Sequence, residues 1–442
     1  MTKRALLLGM LAACGNTGDV VVGEDFRRVH DPLQVATDKL DVLFVVDASG
    51  SMMPEQAALI ASAGQQLFGQ LEADLGGPPD LHLAIVSTDV GTGVANIPGC
   101  PATSYDGRFR IGTDGAVCPI DGTFIIDEDD GAGGRTVNYT GTLADAFGCA
   151  ASLGFAGCGF EQPLEAMHLA LNGGHPENAG FLRDDALLLV VFVTDEDDCS
   201  VYNPEMFGEP QADITSALGP RNSFRCFEFG VVCDPDSPRA FGQKNDCVAR
   251  EDSAYIHPVA RYIDFLRGLK ADPATVLLAG IYGPVGPVVV GEDPAVPPGS
   301  GYLGLQFTCS APETNVAASP PIRLVQVADQ FPSRFVFESL CDSAMSQRLY
   351  RVTRAATGVM SQRPCLLGNV SPETTADRCR AFDVIGSTEK VIERCAGGTV
   401  TSCFDVAPSP QCDYTPSGLA ASYRGTLAAG HRLVVECLSK LE

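Results

Sequence analysis

Tryptophan is absent from the 442 residues, histidine numbers six, and only 19% of the side chains are charged. The missing indole weighs against a carbohydrate platform built on stacked aromatics. Positive charge is scarce: 30 Lys and Arg stand against 55 Asp and Glu, a formal net charge of −25. A surface of that sign repels phosphate backbones, which argues against nucleic acid as a partner. It also disfavours docking onto anionic lipid headgroups. Solubility is the plain reading of the charge, and affinity for cations the sharper one. There is no CxxC pair, and His30, His82, His168, His175, His257 and His431 are scattered, so a cysteine–histidine metal cluster finds no support. A Walker-type loop, a G-x-S-x-G elbow and an H-E-x-x-H helix are all missing. No stretch is long and apolar enough to span a bilayer as a helix.

What is present begins at the N-terminus. Lys3 and Arg4 precede an apolar run from Ala5 to Ala13, too short for a membrane span but suited to an export signal. Leu11-Ala12-Ala13-Cys14 resembles a bacterial lipobox, which implies cleavage before Cys14 and acylation of its thiol. Gly15 follows where Asp would favour retention at the inner membrane, so the resemblance points to the outer membrane, facing the periplasm or the cell surface. An ordinary secretory signal with an incidental cysteine is the alternative. In the first reading the lipid is the only membrane anchor. Of 17 cysteines, Cys14 is set aside and sixteen remain, an even set that an exported chain uses as up to eight disulfides. Spacing leaves the pairing open, with Cys149–Cys158 and Cys226–Cys233 as local candidates.

Residues 1–14 thus read as signal and lipobox, and residues 15–37 as a polar tether. From Asp41 the pattern changes. Val42 to Val46 is a continuous apolar run, as expected for a strand buried on both faces. Pro54 sits near a helix start, and Ile60, Gly64, Leu67, Leu71 and Leu75 follow at helical spacing. Leu81 to Val86 predicts a second strand and Ala186 to Val193 the strongest one. Helices are expected over Gln162–Leu171 and Val259–Leu269, a strand over Thr275–Tyr282, and a short strand over Phe335–Phe337. Strands alternating with helices predict an α/β fold with a doubly wound, mostly parallel sheet over residues 38–360. Gly-, Pro- and Cys-rich stretches at about 90–158, 199–252 and 284–318 read as disulfide-stapled insertions. Residues 361–442, with six cysteines, read as a small Cys-rich β module.

Chemistry concentrates in Asp47-Ala48-Ser49-Gly50-Ser51, between an apolar strand and a helix. Ligands of open α/β sheets bind beyond the carboxyl ends of the strands. One carboxylate and two hydroxyls there are hard oxygen ligands, suited to Mg2+ first, with Ca2+ or Mn2+ as alternatives. Gly50 suits a tight turn. A second cluster, Thr194-Asp195-Glu196-Asp197-Asp198, ends the strand that closes at Val193. Asp127-Glu128-Asp129-Asp130 lacks the spacing of an EF-hand loop and reads as a solvated acidic segment.

The segment from Asp41 through Asp47-Ala-Ser-Gly-Ser to Met52 resembles the opening of a von Willebrand factor type A domain, whose metal-ion-dependent adhesion site carries a DxSxS motif. The resemblance implies Asp47, Ser49 and Ser51 as metal ligands, with Asp195 as the later acidic ligand. It implies a module that binds a protein or peptide partner at that face. Where the family carries a threonine before the middle helix, this chain has Glu161. Glu161 is either a first-turn residue favoured by the helix dipole or a third carboxylate ligand that partly closes the site. The function expected is that of an exported, adhesion-type lipoprotein of the cell envelope. The alternative is a structural envelope protein whose metal only stabilises the fold. A metal-assisted hydrolase is the remote case, since no general base stands near Ser49 in sequence.

Overall fold

The computed structural model describes residues 25–94, 97–100, 102, 104–209, 214–294, 296–299, 301–311, 316–368, 370–395 and 401–439. Cys14 and the expected signal lie outside the described residues. The apolar runs become the middle of a seven-stranded sheet. Its order across the sheet is Phe335–Ser339, Val276–Tyr282, Leu187–Val193, Lys39–Val46, Asp80–Ser87, Ile125–Asp129 and Arg135–Val137. The first five strands run parallel. The last two are antiparallel additions at one edge. Lys39–Val46 is central, with Phe44 in register with Ile85 on one side and Val191 on the other. All seven residues of Leu187–Val193 are buried, which explains why that strand reads as an unbroken apolar run rather than an alternating one.

Side chains of the central strand alternate between two cores. Leu40, Val42, Phe44 and Val46 pack with Leu59, Leu67, Phe147, Leu349 and Val352. Leu43 and Val45 pack with Leu164, Met167, Tyr262, Leu266, Leu324 and Val327. The helical run expected after Pro54 forms as Met53–Ala63, a π-helical turn Gly64–Gly69, and Gln70–Leu75. Gly76 ends it at φ +79°, a left-handed cap that glycine adopts without a Cβ penalty.

The doubly wound, mostly parallel architecture expected for the chain is not what the structure has. Ten of the fourteen strand pairings among the described residues are antiparallel. Four of the five sheets contain no parallel pair, so the fold is a mixed α/β one. The cause lies in the Gly- and Pro-rich stretches. Residues taken as loops in 199–252 and 284–318 supply a four-stranded antiparallel sheet from Leu303–Leu305, Val288–Glu292, Gly242–Ala249 and Val231–Asp234. Antiparallel strands need only short reversals, so a segment without a long apolar run still builds them. The tether reading of residues 15–37 fails at its far end for the same reason. Asp25–His30 is a strand paired with Arg432–Ser439, which joins Cys379–Ile385 and Thr388–Ile392 in a second four-stranded sheet.

All sixteen cysteines after Cys14 are disulfide-bonded. The two local candidates are wrong: Cys149 pairs with Cys118 and Cys158 with Cys100, while Cys226 pairs with Cys199 and Cys233 with Cys247. Eight disulfides mark a protein of the extracellular space or the cell envelope. No helix among the described residues is long and apolar enough to cross a membrane.

Helices Pro163–Leu171 and Ala260–Gly268 are locked by a polar contact that makes stability depend on pH. The Glu165 carboxylate accepts hydrogen bonds from Arg261 at 2.9 Å and the Tyr262 hydroxyl at 2.7 Å. Burial opposes its ionisation, but the neighbouring His168, the hydrogen bond from Tyr262 and the charge of Arg261 outweigh it and bring the pKa down from 4.5 to about 2. A carboxylate whose folded pKa lies below its unfolded one stabilises fully above the unfolded value and less as pH falls through the folded one. Urea unfolding of the wild type should therefore lose on the order of 3 kcal/mol between about pH 5 and pH 2 from this group. Glu165→Gln should lose that much less over the same window, and an unchanged pH slope in the variant would refute the account.

Candidate cation site at the strand ends

The central strand and its neighbour finish side by side. The Asp47 amide donates to the Val193 carbonyl at 3.0 Å, one step beyond the last paired residues. Asp47 then turns its carboxylate back over the loop: Oδ1 accepts the Ser49 amide at 2.7 Å, and Oδ2 accepts the Thr194 hydroxyl at 2.9 Å. The Ser49 and Ser51 hydroxyls lie 3.0 Å apart, facing each other across the turn. Gln56, in the first turns of the following helix, donates to the Asp47 carbonyl at 2.9 Å and the Gly154 carbonyl at 2.8 Å. Through this one amide the loop is fixed to a second loop, residues 152–162.

That second loop makes the closest approach. The Gly157 amide donates to the Ala48 carbonyl at 2.9 Å, and a Cβ on Gly157 would lie 2.8 Å from the Ala48 carbonyl carbon and oxygen. Glycine is required at 157 for this reason. Gly50 has no such need: its nearest would-be neighbour is the Phe155 carbonyl at 3.7 Å, an ordinary contact. Phe155 itself is 59% exposed beside the loop. Glu161 ends this stretch. Its carbonyl accepts the Cys199 amide at 2.7 Å, and the next amide, of Gln162, donates to Thr88 at 3.0 Å.

The structure places Asp47, Ser49, Ser51, Asp195 and Glu161 at one end of the sheet. It adds Glu196, whose charge acts on both Glu161 and Asp195. Asp195 follows Thr194 at the end of the neighbouring strand, where the charge of Asp47 acts on it. Burial pushes the Asp47 carboxyl upward against its hydrogen bonds from Ser49 and Thr194. Asp195 is pushed well above the usual range by burial first and the charges of Asp47 and Glu196 next. Glu161 is pushed the same way by burial and then by Glu196, Asp47 and Asp195. Glu196 rises to about 7, again through burial and then the charge of Asp47. Two oxygens, Glu161 Oε2 and Asp195 Oδ1, are buried with no hydrogen-bond partner. Glu161 is 2% exposed and Asp195 8%. Buried carboxylates that repel one another and leave lone pairs unmet are suited to hold a hard cation. The side chains are not drawn into a tight ligand shell: no group of three or more His, Cys, Asp or Glu among the described residues is arranged as a metal-binding cluster.

The remaining acidic residues serve other ends. Asp197 accepts the Arg323 amide through both oxygens at 3.0 Å and the Leu324 amide at 3.2 Å, at the start of the helix Ile322–Ala328. Asp198 forms a fully buried ion pair with Arg323 at 3.1 Å. Along the expected solvated segment, Asp127 pairs with Arg135 at 2.7 Å and Glu128 with Arg183 at 2.9 Å. Asp129 and Asp130 accept amides from Gly131, Ala132 and Gly134. Three of the four lie in the strand Ile125–Asp129 and none of the four is drawn to the candidate site. His168 is packed against Phe265, with ring centroids 4.6 Å apart, and accepts from Arg261.

No family model matches the chain, and no curated protein matches it. Among solved structures, the pilus adhesin RrgA from Streptococcus pneumoniae is similar at 11% identity with a TM-score of 0.30. The likeness covers 94% of this chain and 57% of that one, so the chain spans little more than half of that adhesin's length. A likeness at that level carries no family assignment, and the type A resemblance rests on the DASGS motif and its surroundings.

The repulsion has a measurable consequence without any metal. A carboxylate whose folded pKa is raised costs stability once pH exceeds its unfolded value. At pH 7.5 in EDTA, Glu161→Gln should stabilise the protein by about 1–3 kcal/mol, the cost of a buried unmet polar group. Chemical unfolding of the two proteins in parallel tests this, and a less stable variant would contradict the picture of uncompensated charge.

Proposed function

We propose that the protein works outside the cytoplasm as a cation-dependent binding module. Asp47, Ser49, Ser51 and Asp195 hold a divalent cation, and the same end of the sheet meets a protein or peptide partner. The observation that carries this reading is the pair of buried, partnerless oxygens on Glu161 and Asp195, beside a loop whose Ser49 and Ser51 hydroxyls face each other. The DASGS resemblance to the type A metal site supports the same residues. Exposed Phe155 and Met53, which flank the loop, suit an apolar contact with a partner at that end. Cys14 belongs to the reading as the lipidated residue that would tether the protein to the outer membrane. The bound ion would supply charge neutralisation and a fixed geometry for the three converging loops, and the proposal contains no catalytic step.

Binding to the folded state alone raises stability by RT ln(1 + [L]/Kd), about 2.7 kcal/mol at a hundredfold excess over Kd. Adding a millimolar divalent cation to EDTA-stripped protein should raise its Tm by several degrees, and Asp47→Ala should abolish the shift. Equal shifts in both proteins, or no shift in the wild type, would defeat the assignment.

A further inference from the structure

We propose that the free edge of the central sheet, at Phe335–Ser339, takes an extended apolar peptide as an added antiparallel strand, with the peptide's terminal carboxylate held at Arg27. The site shares no residue with the DASGS end, and the inference stands apart from the cation reading.

The strand Phe335–Ser339 is the last of the seven and pairs only with Val276–Tyr282. Its register fixes which backbone groups are used. The Leu278 amide donates to the Arg334 carbonyl at 2.8 Å, and the Leu340 amide donates to the Tyr282 carbonyl at 2.8 Å. Backbone groups alternate sides along a strand, so Val336 and Glu338 face the partner strand, while Phe335 and Phe337 turn their amides and carbonyls outward. Among the described residues these outward groups make no hydrogen bond. Phe337 is 36% exposed and lies against Tyr282, with ring centroids 5.5 Å apart. An unpaired edge of this kind is a template for another strand.

Beside that edge lies a cavity of about 530 Å3, lined by Phe335, Val336 and Phe337 in succession. Val285, Val325, Val29 and Leu367 supply much of its apolar remainder. The volume is that of a ligand site. An acyl chain would fill it and leave the outward amides and carbonyls unmet. An extended peptide meets both demands: its backbone pairs with the edge, and alternate side chains enter the cavity.

Charge sets the peptide's direction. Arg27 lines this cavity and also an adjoining cleft of about 590 Å3. In a chain with 30 basic residues against 55 acidic ones, that cleft gathers five arginines against four acids. Arg334 in its wall is 5% exposed and donates only to carbonyls, those of Ala274 at 2.6 Å, Ser333 at 2.7 Å and Asp31. Burial brings its pKa from 12.5 down to about 10. Arg267 bonds to the neutral Gln330 at 3.1 Å. Arg27 itself is loosely held, 3.5 Å from the Asp329 carbonyl and 3.6 Å from its carboxylate. A carboxylate arriving there gains a charge-assisted contact. The cleft is walled by Pro332, Ser333 and Arg334, immediately before the strand. A peptide whose carboxyl end rests there therefore runs antiparallel to Phe335–Ser339.

The test is fluorescence polarisation of the full-length protein with labelled pentapeptides of valine, isoleucine, leucine and threonine that carry free carboxyl ends. These should bind saturably, and amidated copies about tenfold or more weaker, the scale of one charge-assisted hydrogen bond. Arg27→Gln, checked for folding by circular dichroism, should bind both forms alike. N-methylation of alternate peptide amides should abolish binding in one phase and spare it in the other, because only every second amide faces the edge. Methylation tolerated at every position, with palmitate competing, would make this an acyl site and overturn the added strand. Failure of every free-carboxyl peptide to bind would overturn it as well. Affinity should be unchanged in EDTA and in Asp47→Ala, and its loss in either would move the peptide to the cation face and refute this site.

Discussion

Charge repulsion among buried carboxylates at the ends of two adjacent parallel strands governs the surroundings of the DASGS loop. Parallel pairing forces Asp47 and Thr194 together, since Val46 and Val193 are register partners and the chain leaves both strands at the same level. Asp195 and Glu196 follow within two residues, and a third loop delivers Glu161. None of these positions is free to withdraw into solvent: backbone hydrogen bonds to Val193, Ala48, Thr88 and Ile281 hold all three loops against the sheet. Like charges held within a few ångströms in a low-dielectric setting cost several kcal/mol in general unless something positive intervenes, and here each of Glu161 and Asp195 feels the charge of its acidic neighbours.

The disulfides bear on that constraint directly. Cys100–Cys158 ties the loop holding Gly157 to an earlier insertion, and Cys199–Cys226 fastens the chain just beyond the acidic run. A closed loop of tens of residues has less unfolded-state entropy to gain, an effect of about 3–4 kcal/mol for each such bridge in the chain-entropy account. Stability of this kind allows repulsive side chains to stay assembled where a weaker scaffold would let the loops part. Insertions with many glycines and prolines thereby carry strands and helical turns of their own.

Much of the central sheet was legible in the sequence because its strands are buried on both faces. The run expected at Ala186–Val193 forms as Leu187–Val193, and that at Thr275–Tyr282 as Val276–Tyr282. Helices placed at Gln162–Leu171 and Val259–Leu269 form one residue or so shorter at their ends. What stayed hidden depends on partners distant in sequence. Asp25–His30 is a strand only because Arg432–Ser439 runs beside it, about 400 residues away. Gly242–Ala249 carries Gln, Lys, Asn and Asp, a composition that gives no strand signal without its neighbours. For the same reason the parallel pattern of the core was extended too far, and the antiparallel majority was missed. At the site, the motif located Asp47, Ser49 and Ser51, and the strand end located Asp195. Asp197 and Asp198 stand in the same acidic run, and only their contacts with the Arg323 amide and guanidinium separate them from Asp195. Gly157 had no signal at all, since its requirement comes from the approach of Ala48.

The strand that ends in Asp47 contains a comparison for its own cluster. Asp41, six residues earlier, is also fully buried, yet its carboxylate accepts the Arg183 amide and guanidinium at 2.8 Å, with Lys270 3.9 Å away. Asp198 has Arg323, Asp74 has Arg354 and Arg363, and Glu165 has Arg261. The fold therefore spends its scarce arginines on buried carboxylates in several places, in keeping with the rule that buried charge is paired. At the DASGS end the charges acting on Glu161 and Asp195 come from other carboxylates. The molecule pairs its buried acids elsewhere and here leaves Glu161 Oε2 and Asp195 Oδ1 without a hydrogen-bond partner, and that contrast is the ground on which a cation is proposed.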